Sequence, residues 1–203
     1  MGAAAPWAGR PLPESVAEVA EIVARSRPHR PRVEAVDGRP PSAVLVPFRD
    51  GVDGPELLFT RRAWHLRSHK GEVCFPGGRL EPGDPDLATT ALRETHEEID
   101  LPPSSVRLVG ELDRLTTVSS PSFIVPFVGL IDGEPTLTPA TNEVDGILRI
   151  SLRELADPVI FREELWTRDG NEMAIYFFEL VGDTLWGATA RMVHNLLRLV
   201  TAE

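Results

Sequence analysis

Three glutamates in one short segment are the residues of this chain best suited to chemistry. Glu94, Glu97 and Glu98 stand at positions i, i+3 and i+4, which are neighbours on the surface of an α-helix. Like charges placed this way repel each other, at a cost of about 0.2–0.5 kcal/mol per pair. A divalent cation among the oxygens would remove that cost, because hard cations take carboxylate ligands. Taken alone, this spacing favours a solvated acidic face, and the Gly-Gly turn before the helix and the placement of the carboxylates on it shift the interpretation to a metal site.

The helix that must carry these glutamates is predicted from the residues around them. One stripe on its surface is suited to packing on a core, and it comprises Leu87, Ala88, Ala91, Leu92, Thr95 and Ile99. Glu94 and Glu98 lie at the margin of that stripe rather than opposite it, which favours a site over a purely solvated face. Asp84 is expected to cap the helix, and Pro85 suits its first position.

The segment from Phe75 to Leu101 resembles the signature motif of the Nudix hydrolases. The positions that match are Gly78, Arg93, Glu94, Glu97, Glu98 and Leu101. The departures are Asp84 in place of a glutamate, Thr95 in place of an apolar residue and Asp100 in place of a glycine. The interval from Asp84 to Arg93 is also one residue longer than usual. Because Asp enters the left-handed region more readily than most residues, Asp100 is tolerable after the helix.

A second match lies just upstream, in residues 57–78. This stretch, Leu-Leu-Phe-Thr-Arg-Arg-Ala-Trp-His-Leu-Arg-Ser-His-Lys-Gly-Glu-Val-Cys-Phe-Pro-Gly-Gly, is similar to the extra motif of the coenzyme A diphosphatase branch of the Nudix family. Glu72 stands where that branch usually has glutamine. Weaker similarities extend the resemblance over roughly residues 42–202. The resemblance implies a metal-dependent hydrolase that cleaves coenzyme A, or its acyl or oxidised forms, to 4′-phosphopantetheine and adenosine 3′,5′-bisphosphate.

Metal ligands follow from the helix and from the resemblance together. Glu94 and Glu98, one turn apart, are the first choice for binding Mg²⁺ or Mn²⁺. Glu97 is third, either as a ligand or as the partner of Arg93, which precedes it by one turn. The resemblance to Nudix hydrolases also implies a main-chain carbonyl ligand from the Gly-Gly turn, and we assign it to Gly77.

The general base and the substrate contacts are less sharply defined. The candidates for the base that activates water are Glu94, Glu97 and Glu143. Arg61, Arg67 and Lys70 are expected to contact the phosphates of the substrate, since guanidinium groups match phosphate oxygens well. Trp64 and Trp186 could stack on a base, although packing at a core or its rim is the more common role of such residues.

Composition limits the classes of function. The chain has 203 residues, of which 42% are hydrophobic and 26% are charged, as is ordinary for one globular domain. Its net charge of −10 argues against sequence-independent binding to nucleic acid, and no segment reads as a signal peptide or membrane span. The single cysteine, Cys74, excludes an internal disulfide, is expected to be buried on a short strand, and favours a cytoplasmic location. A homodimer is left open.

An N-terminal segment, residues 1–41, is expected to precede the Nudix domain, residues 42–203. In the first part, residues 1–12 should form a loose tail, Ser15 should open a helix that ends near Ser26, and residues 28–41 should form a connector rich in Pro and Arg.

The second part mixes strands and helices, which predicts an α/β (α+β) fold, a Nudix-type α/β/α sandwich with a mixed β-sheet. Strands are expected near Ser42–Phe48, Glu56–Arg62, Val73–Phe75, Val106–Leu112, Phe123–Leu130, Gly146–Ile150, Val159–Trp166 and Met173–Leu180. Ser151 should open a short helix, and Thr189 to Val200 should form a C-terminal helix.

Two other functions are left open. The same chemistry could act on ADP-ribose, a dinucleotide or a nucleotide sugar. The fold could also serve as a non-catalytic ligand sensor, a reading that the departures at Asp84 and Asp100 keep open.

Overall fold

A mixed β-sheet between two helical layers organises the chain in this computed structural model, which describes residues 4–32, 38–117, 122–168 and 170–202. The helices are α1 (Val16–Arg25), α2 (Leu87–Ile99), α3 (Leu152–Leu155) and α4 (Gly187–Val200), with a 3₁₀ turn at Pro103–Ser105. The strands are β1 (Ser42–Gly51), β2 (Gly54–Arg62), β3 (Val73–Cys74), β4 (Gly77–Arg79), β5 (Val106–Glu111), β6 (Leu115–Thr117), β7 (Ser122–Ile131), β8 (Val144–Ser151), β9 (Phe161–Arg168), β10 (Asn171–Leu180) and β11 (Asp183–Trp186).

Strand β1 lies at the centre of the main sheet, whose principal order is β3-β2-β1-β7-β5. It pairs in parallel with β7, from Ser42 opposite Ile124 to Phe48 opposite Leu130, and antiparallel with β2 and β4. Strand β8 extends the sheet beside β2, and β6 pairs with β7. The three C-terminal strands form a separate antiparallel sheet in the order β11-β10-β9.

Alternation along β1 supplies apolar side chains to both faces of the sheet. Ala43 and Leu45 pack with Ala91 and Ile99 of α2 on one face. Phe48 belongs to the larger core on the opposite face, which contains the buried side of α1, α3 and α4. The predicted α/β/α sandwich with a mixed sheet is therefore confirmed. Among the described residues, no helix is long and apolar enough to cross a membrane.

Helix α2 begins two residues later than predicted. Its N-cap is Asp86, whose carboxylate accepts from the N–H of Thr89 at 2.7 Å. The expectation that Asp84 caps the helix and that Pro85 is its first residue is wrong, because Asp84 is engaged by an arginine of the helix described below. The other end is as expected, since Asp100 has φ 57° and ψ 29°, in the left-handed region.

The remaining elements follow the sequence pattern closely. Ser15 caps α1 and Ser151 caps α3, each by accepting from the N–H three residues later. All eight predicted strands are present, with ends shifted by a few residues. The strands that were not predicted are the short β4, β6 and β11. Their few residues carry too little periodicity, and long-range pairing defines them.

The N-terminal segment is packed on the domain, so the expected loose tail is wrong for the described residues. The indole of Trp7 lies against Phe161 and Phe178, with ring centroids 4.8 and 5.9 Å apart. Its Nε1 donates to the carbonyl oxygen of Ala156 at 3.0 Å. A boundary between the two segments after residue 41 stays a prediction.

Replacing Trp7 with alanine is expected to destabilise the protein by about 3–5 kcal/mol, since a fully buried aromatic side chain and its hydrogen bond are lost. Urea unfolding of Trp7→Ala beside the parent protein measures the difference. Trp166→Ala, at an indole that is 46% exposed, is the matched control and should change stability by less than about 0.5 kcal/mol. Equal stability of the two variants would show that the N-terminal segment does not pack in solution.

Candidate active site

The turn at Gly77 and Gly78 lies directly against the acidic side of α2. A Cβ at Gly78 would overlap the carboxylate of Glu94, and a Cβ at Gly77 would overlap the carbonyl oxygen of Ala43 on β1. Gly77 has φ 150°, and its N–H donates to Oε2 of Glu98 at 3.3 Å. Only a turn without side chains fits between β1 and the helix. Two carboxylates of α2 therefore face the same short stretch of main chain.

Glu98 carries a buried charge that the protein compensates poorly. The residue is 8% exposed, and the N–H of Gly77 is the one hydrogen-bond partner of its carboxylate in the described residues. Burial raises the pKa of Glu98 to about 7, against the lowering effect of that N–H, and the nearby carboxylates of Glu94 and Glu143 raise it further. Burial also raises the pKa of Glu94, opposed by Arg93. The site holds more negative charge than it neutralises.

Arg93 connects three carboxylates on the outer side of this site. Its Nε and Nη2 donate to the two oxygens of Asp84, both at 2.9 Å. Its Nη1 donates to Glu97 at 3.1 Å, which confirms the predicted pair, and its Nη2 also reaches Glu94 at 3.2 Å. The Asp84 carboxylate is 4% exposed and also accepts from the hydroxyl of Thr90, and the guanidinium lowers its pKa. Asp84 is an anchor for Arg93.

The donor set of the site suits a divalent cation that keeps part of its water shell. Among the described residues, no group of three His, Cys, Asp or Glu side chains is arranged to hold a metal ion unaided. Magnesium in enzymes is commonly bound by one or two carboxylates and completes its coordination with water and substrate phosphates. Glu94 and Glu98 supply such a pair beside the Gly77 turn. Burial raises the pKa of both carboxylates, so a cation beside them would stabilise their ionised forms. The residues present therefore fit a hard divalent cation.

Glu143 and Arg62 lie near the buried carboxylate of Glu98. Arg62 Nη2 donates to Glu143 Oε2 at 3.3 Å, and the carbonyl oxygen of Glu143 accepts from the N–H of Ala63 at 2.8 Å. Both charges act on the pKa of Glu98, Arg62 lowering it and Glu143 raising it. Glu143 is thus close to the site, as the general-base hypothesis requires.

Arg61, which the sequence favoured as a phosphate ligand, is held elsewhere. Its guanidinium makes two charge-assisted hydrogen bonds with the carboxylate of Asp183, on β11. The pairing of β2 with β8 shifts register between Arg61 and Arg62, so the contacts of each side chain, and not strand alternation, distinguish the two. Arg62 is the arginine beside the carboxylates. No local sequence signal separates the two, because Asp183 lies 122 positions from Arg61.

The loop of residues 63–72 between β2 and β3 carries the other predicted substrate ligands. Arg67 and Lys70 are exposed, and neither forms an ion pair within the described part of the chain. Trp64 and Trp186 are both exposed as well, so neither is a core residue. Cys74 lies on β3, where burial raises its pKa to about 11. Its thiol is therefore neutral at pH 7, which favours the structural role over a nucleophile.

Comparisons with known proteins add to these observations. The family model described as NUDIX domain matches residues 38–170. Two curated relatives, both described as "Uncharacterized Nudix hydrolase NudL", come from Yersinia pestis (strain Pestoides F) and Yersinia pseudotuberculosis serotype O:1b (strain IP 31758). Each is 36% identical over 160 residues, which cover 79% of this chain and 79% of the relative. The chain therefore belongs to the Nudix family of hydrolases, enzymes that act on diphosphate bonds.

A solved structure of a MutT/nudix family protein from Enterococcus faecalis is similar in fold. It aligns with a TM-score of 0.50 at 15% identity and covers 84% of this chain and 65% of that chain. At this identity the likeness concerns the fold alone.

Gly78→Ala is expected to lower turnover by about a hundredfold, because the added methyl group must displace the carboxylate of Glu94, and small displacements of catalytic groups carry costs of that order. Steady-state assays of diphosphate hydrolysis measure the loss. Gly83→Ala is the control from the same segment, since a Cβ there meets nothing within 4 Å, and it should keep full activity. Full activity of Gly78→Ala would mean that Glu94 need not stay where the structure places it.

Proposed function

We propose that this protein hydrolyses the diphosphate bond of coenzyme A, or of its acyl or oxidised forms, to 4′-phosphopantetheine and adenosine 3′,5′-bisphosphate. The observation that carries the proposal is the pair of carboxylates, the half-buried Glu94 and the buried Glu98, that lie against the turn at Gly77 and Gly78. The loop of residues 63–72 bears the motif that is similar to that of coenzyme A diphosphatases. It follows β2 directly after Arg62, whose charge acts on the pKa of Glu98, and so it starts near this pair. We further propose a cytoplasmic enzyme with a small-molecule substrate and no nucleic-acid or membrane partner.

Each residue of the site has a distinct part in the proposed reaction. Glu94 and Glu98 would hold Mg²⁺ or Mn²⁺ together with the carbonyl of Gly77, with Glu97 as a further candidate ligand. Such a cation shields the diphosphate charge and lowers the pKa of water. Arg93 keeps Glu94 in place through its ion pair.

A general base must accept a proton from the attacking water. Glu94, Glu97 and Glu143 are the candidates. Glu97 and Glu143 are each tied to one arginine and exposed to solvent, so water reaches both. A fall in kcat of Glu143→Gln that greatly exceeds the fall in Glu97→Gln would assign the role to Glu143, and the reverse would assign it to Glu97.

Substrate recognition is assigned to the cations of the loop. Arg67 and Lys70 have no carboxylate partner in the described residues, so they are available for phosphate oxygens. Arg61 would first have to leave Asp183, so we expect it to contribute less to phosphate binding than Arg67. Arg67→Ala should therefore raise KM for coenzyme A more than Arg61→Ala does.

A second candidate substrate is a nucleotide diphosphate without the 3′-phosphate, such as ADP-ribose. The observation that favours it is Glu72, an acidic residue where the coenzyme A branch usually has glutamine. Its carboxylate lies 2.9 Å from Nδ1 of His69, at the base of the substrate loop.

The test is turnover of coenzyme A, dephospho-coenzyme A and ADP-ribose with Mg²⁺, with Mn²⁺ and with EDTA, the products being identified by mass. The proposal expects adenosine 3′,5′-bisphosphate from coenzyme A, formed only with a cation and faster than product from the other two substrates. Faster cleavage of ADP-ribose would move the assignment to that substrate. Absence of product from all three would favour a non-catalytic ligand sensor.

A further inference from the structure

Trp64 is a large aromatic side chain that the structure leaves exposed at the start of the substrate loop. The residue is 67% exposed, yet one part of its ring is firmly seated. A Cβ at Gly71 would lie 2.5 Å from the ring carbons Cζ2 and Cη2. Gly71 has φ 66°, in the region that favours glycine, and its missing side chain leaves the space that the indole occupies. The ring therefore rests on main chain while most of its surface faces solvent.

The loop that carries Trp64 is fixed relative to the carboxylates. The N–H of Trp64 donates to Oδ2 of Asp145 at 3.2 Å, and the N–H of Ala63 donates to the carbonyl of Glu143 at 2.8 Å. At its other end, the N–H of Gly71 donates to the carbonyl of Arg62 at 3.1 Å. These bonds anchor both ends of the loop at the end of β2, where the charge of Arg62 acts on the pKa of Glu98. The main chain that carries the indole is thus anchored at the end of β2.

The charges of the loop indicate what the exposed ring would bind. Arg67 and Lys70 follow Trp64 in the same loop, and both lack an ion-pair partner among the described residues. An aromatic surface with free cations beside it matches a phosphorylated nucleoside, because every base has a π-face and every phosphate is anionic. A purely apolar partner would leave these charges unpaired and desolvated.

We propose that Trp64 is the stacking platform for the base of the nucleotide half of the substrate, with Gly71 as its seat. The inference rests on the proposed function for the identity of that half. It concerns a residue outside the carboxylate site, and it assigns the loop to the nucleotide end of the substrate rather than to the pantetheine end.

The test compares the two halves of coenzyme A as separate probes in the presence of Mg²⁺. Calorimetry gives Kd values of adenosine 3′,5′-bisphosphate and of 4′-phosphopantetheine for the parent protein, Trp64→Ala, Trp64→Phe and the control Trp166→Ala. Trp64→Ala should weaken the adenosine probe by about 5- to 100-fold, the range of base–aromatic stacking, and leave the pantetheine probe unchanged. Trp64→Phe should keep most of the affinity, and Trp166→Ala should keep all of it.

Other outcomes would overturn the proposal. Equal weakening of both probes in Trp64→Ala would show that the indole only braces the loop. An unchanged Kd of the adenosine probe in Trp64→Ala, or no binding of that probe to the parent protein, would show that Trp64 is not a stacking platform.

Adenosine 5′-monophosphate separates this inference from the proposed function. If coenzyme A is not cleaved but Trp64→Ala weakens binding of adenosine 5′-monophosphate, stacking stands and the substrate assignment fails. If coenzyme A is cleaved and neither adenosine probe responds to Trp64→Ala, the stacking inference alone fails.

Discussion

Glu98→Gln is expected to lower turnover by at least about a hundredfold and, at the same time, to make the metal-free protein more stable at about pH 8. Turnover falls because the amide cannot replace the carboxylate in charge neutralisation of a divalent cation. Stability rises because the folded protein no longer has to bury an ionised carboxylate. An ordinary destabilising substitution would lower both quantities.

The direction of the pH effect follows from the pKa of Glu98. Burial raises that pKa from 4.5 to about 7, so the folded state binds more protons than the unfolded state between these values. The contribution of Glu98 to stability is therefore most favourable below about pH 4.5 and is lost as the pH rises to about 7. Removing the ionisable group should gain on the order of 2–3 kcal/mol at about pH 8 and almost nothing at about pH 4.5. The amide oxygen of glutamine can still accept from Gly77.

Urea unfolding in EDTA at the two pH values measures this gain, beside assays of turnover with Mg²⁺. Glu97→Gln is the matched control, since the Glu97 side chain is 52% exposed and should show no such pH-dependent gain. Addition of Mg²⁺ should stabilise the parent protein more than it stabilises Glu98→Gln. A variant that is less stable than the parent at about pH 8, or that retains full turnover, would contradict the buried ligand role.

Arg93→Ala is expected to lower the melting temperature by on the order of 5–10 °C and turnover by about a hundredfold or more. Arg93 is the common partner of Asp84, Glu94 and Glu97. Without it, the nearly inaccessible carboxylate of Asp84 keeps its charge with no cation beside it, and the two glutamates lose their alignment. Scanning calorimetry and steady-state kinetics measure the two effects.

A double variant separates the structural part of Arg93 from its part in the site. Asp84→Asn in the Arg93→Ala background removes the stranded charge, so it should recover much of the melting temperature. Turnover should stay low, because Glu94 and Glu97 still lack their partner. Recovery of turnover together with stability would show that Arg93 matters only for folding.

Features that depend on residues within one segment could be predicted from the sequence, and features that depend on contacts with more distant residues could not. The acidic side of α2 and the left-handed Asp100 follow from helix geometry within one segment. The start of the same helix was misplaced because Asp84 is taken by Arg93, nine positions away. Asp86, two positions further along the chain, provides the cap instead.

Two other differences between the sequence-based expectations and the structure also arise from contacts with distant residues. Residues near the N terminus are rich in Ala and Pro, but Trp7 is fixed by Ala156 at a separation of 149 positions. Arg61 was expected to contact phosphate, yet its guanidinium is bonded to Asp183, 122 positions away. Substrate contacts by Arg67 and Lys70 depend on a ligand and stay predictions.

The most direct test of the account is incubation of coenzyme A with the parent protein and with Glu98→Gln, each with Mg²⁺ and with EDTA, followed by mass analysis of the products. We predict adenosine 3′,5′-bisphosphate and 4′-phosphopantetheine from the parent protein with Mg²⁺ alone. Equal product in EDTA, product from Glu98→Gln at the parent rate, or no product from the parent protein with Mg²⁺ would contradict it.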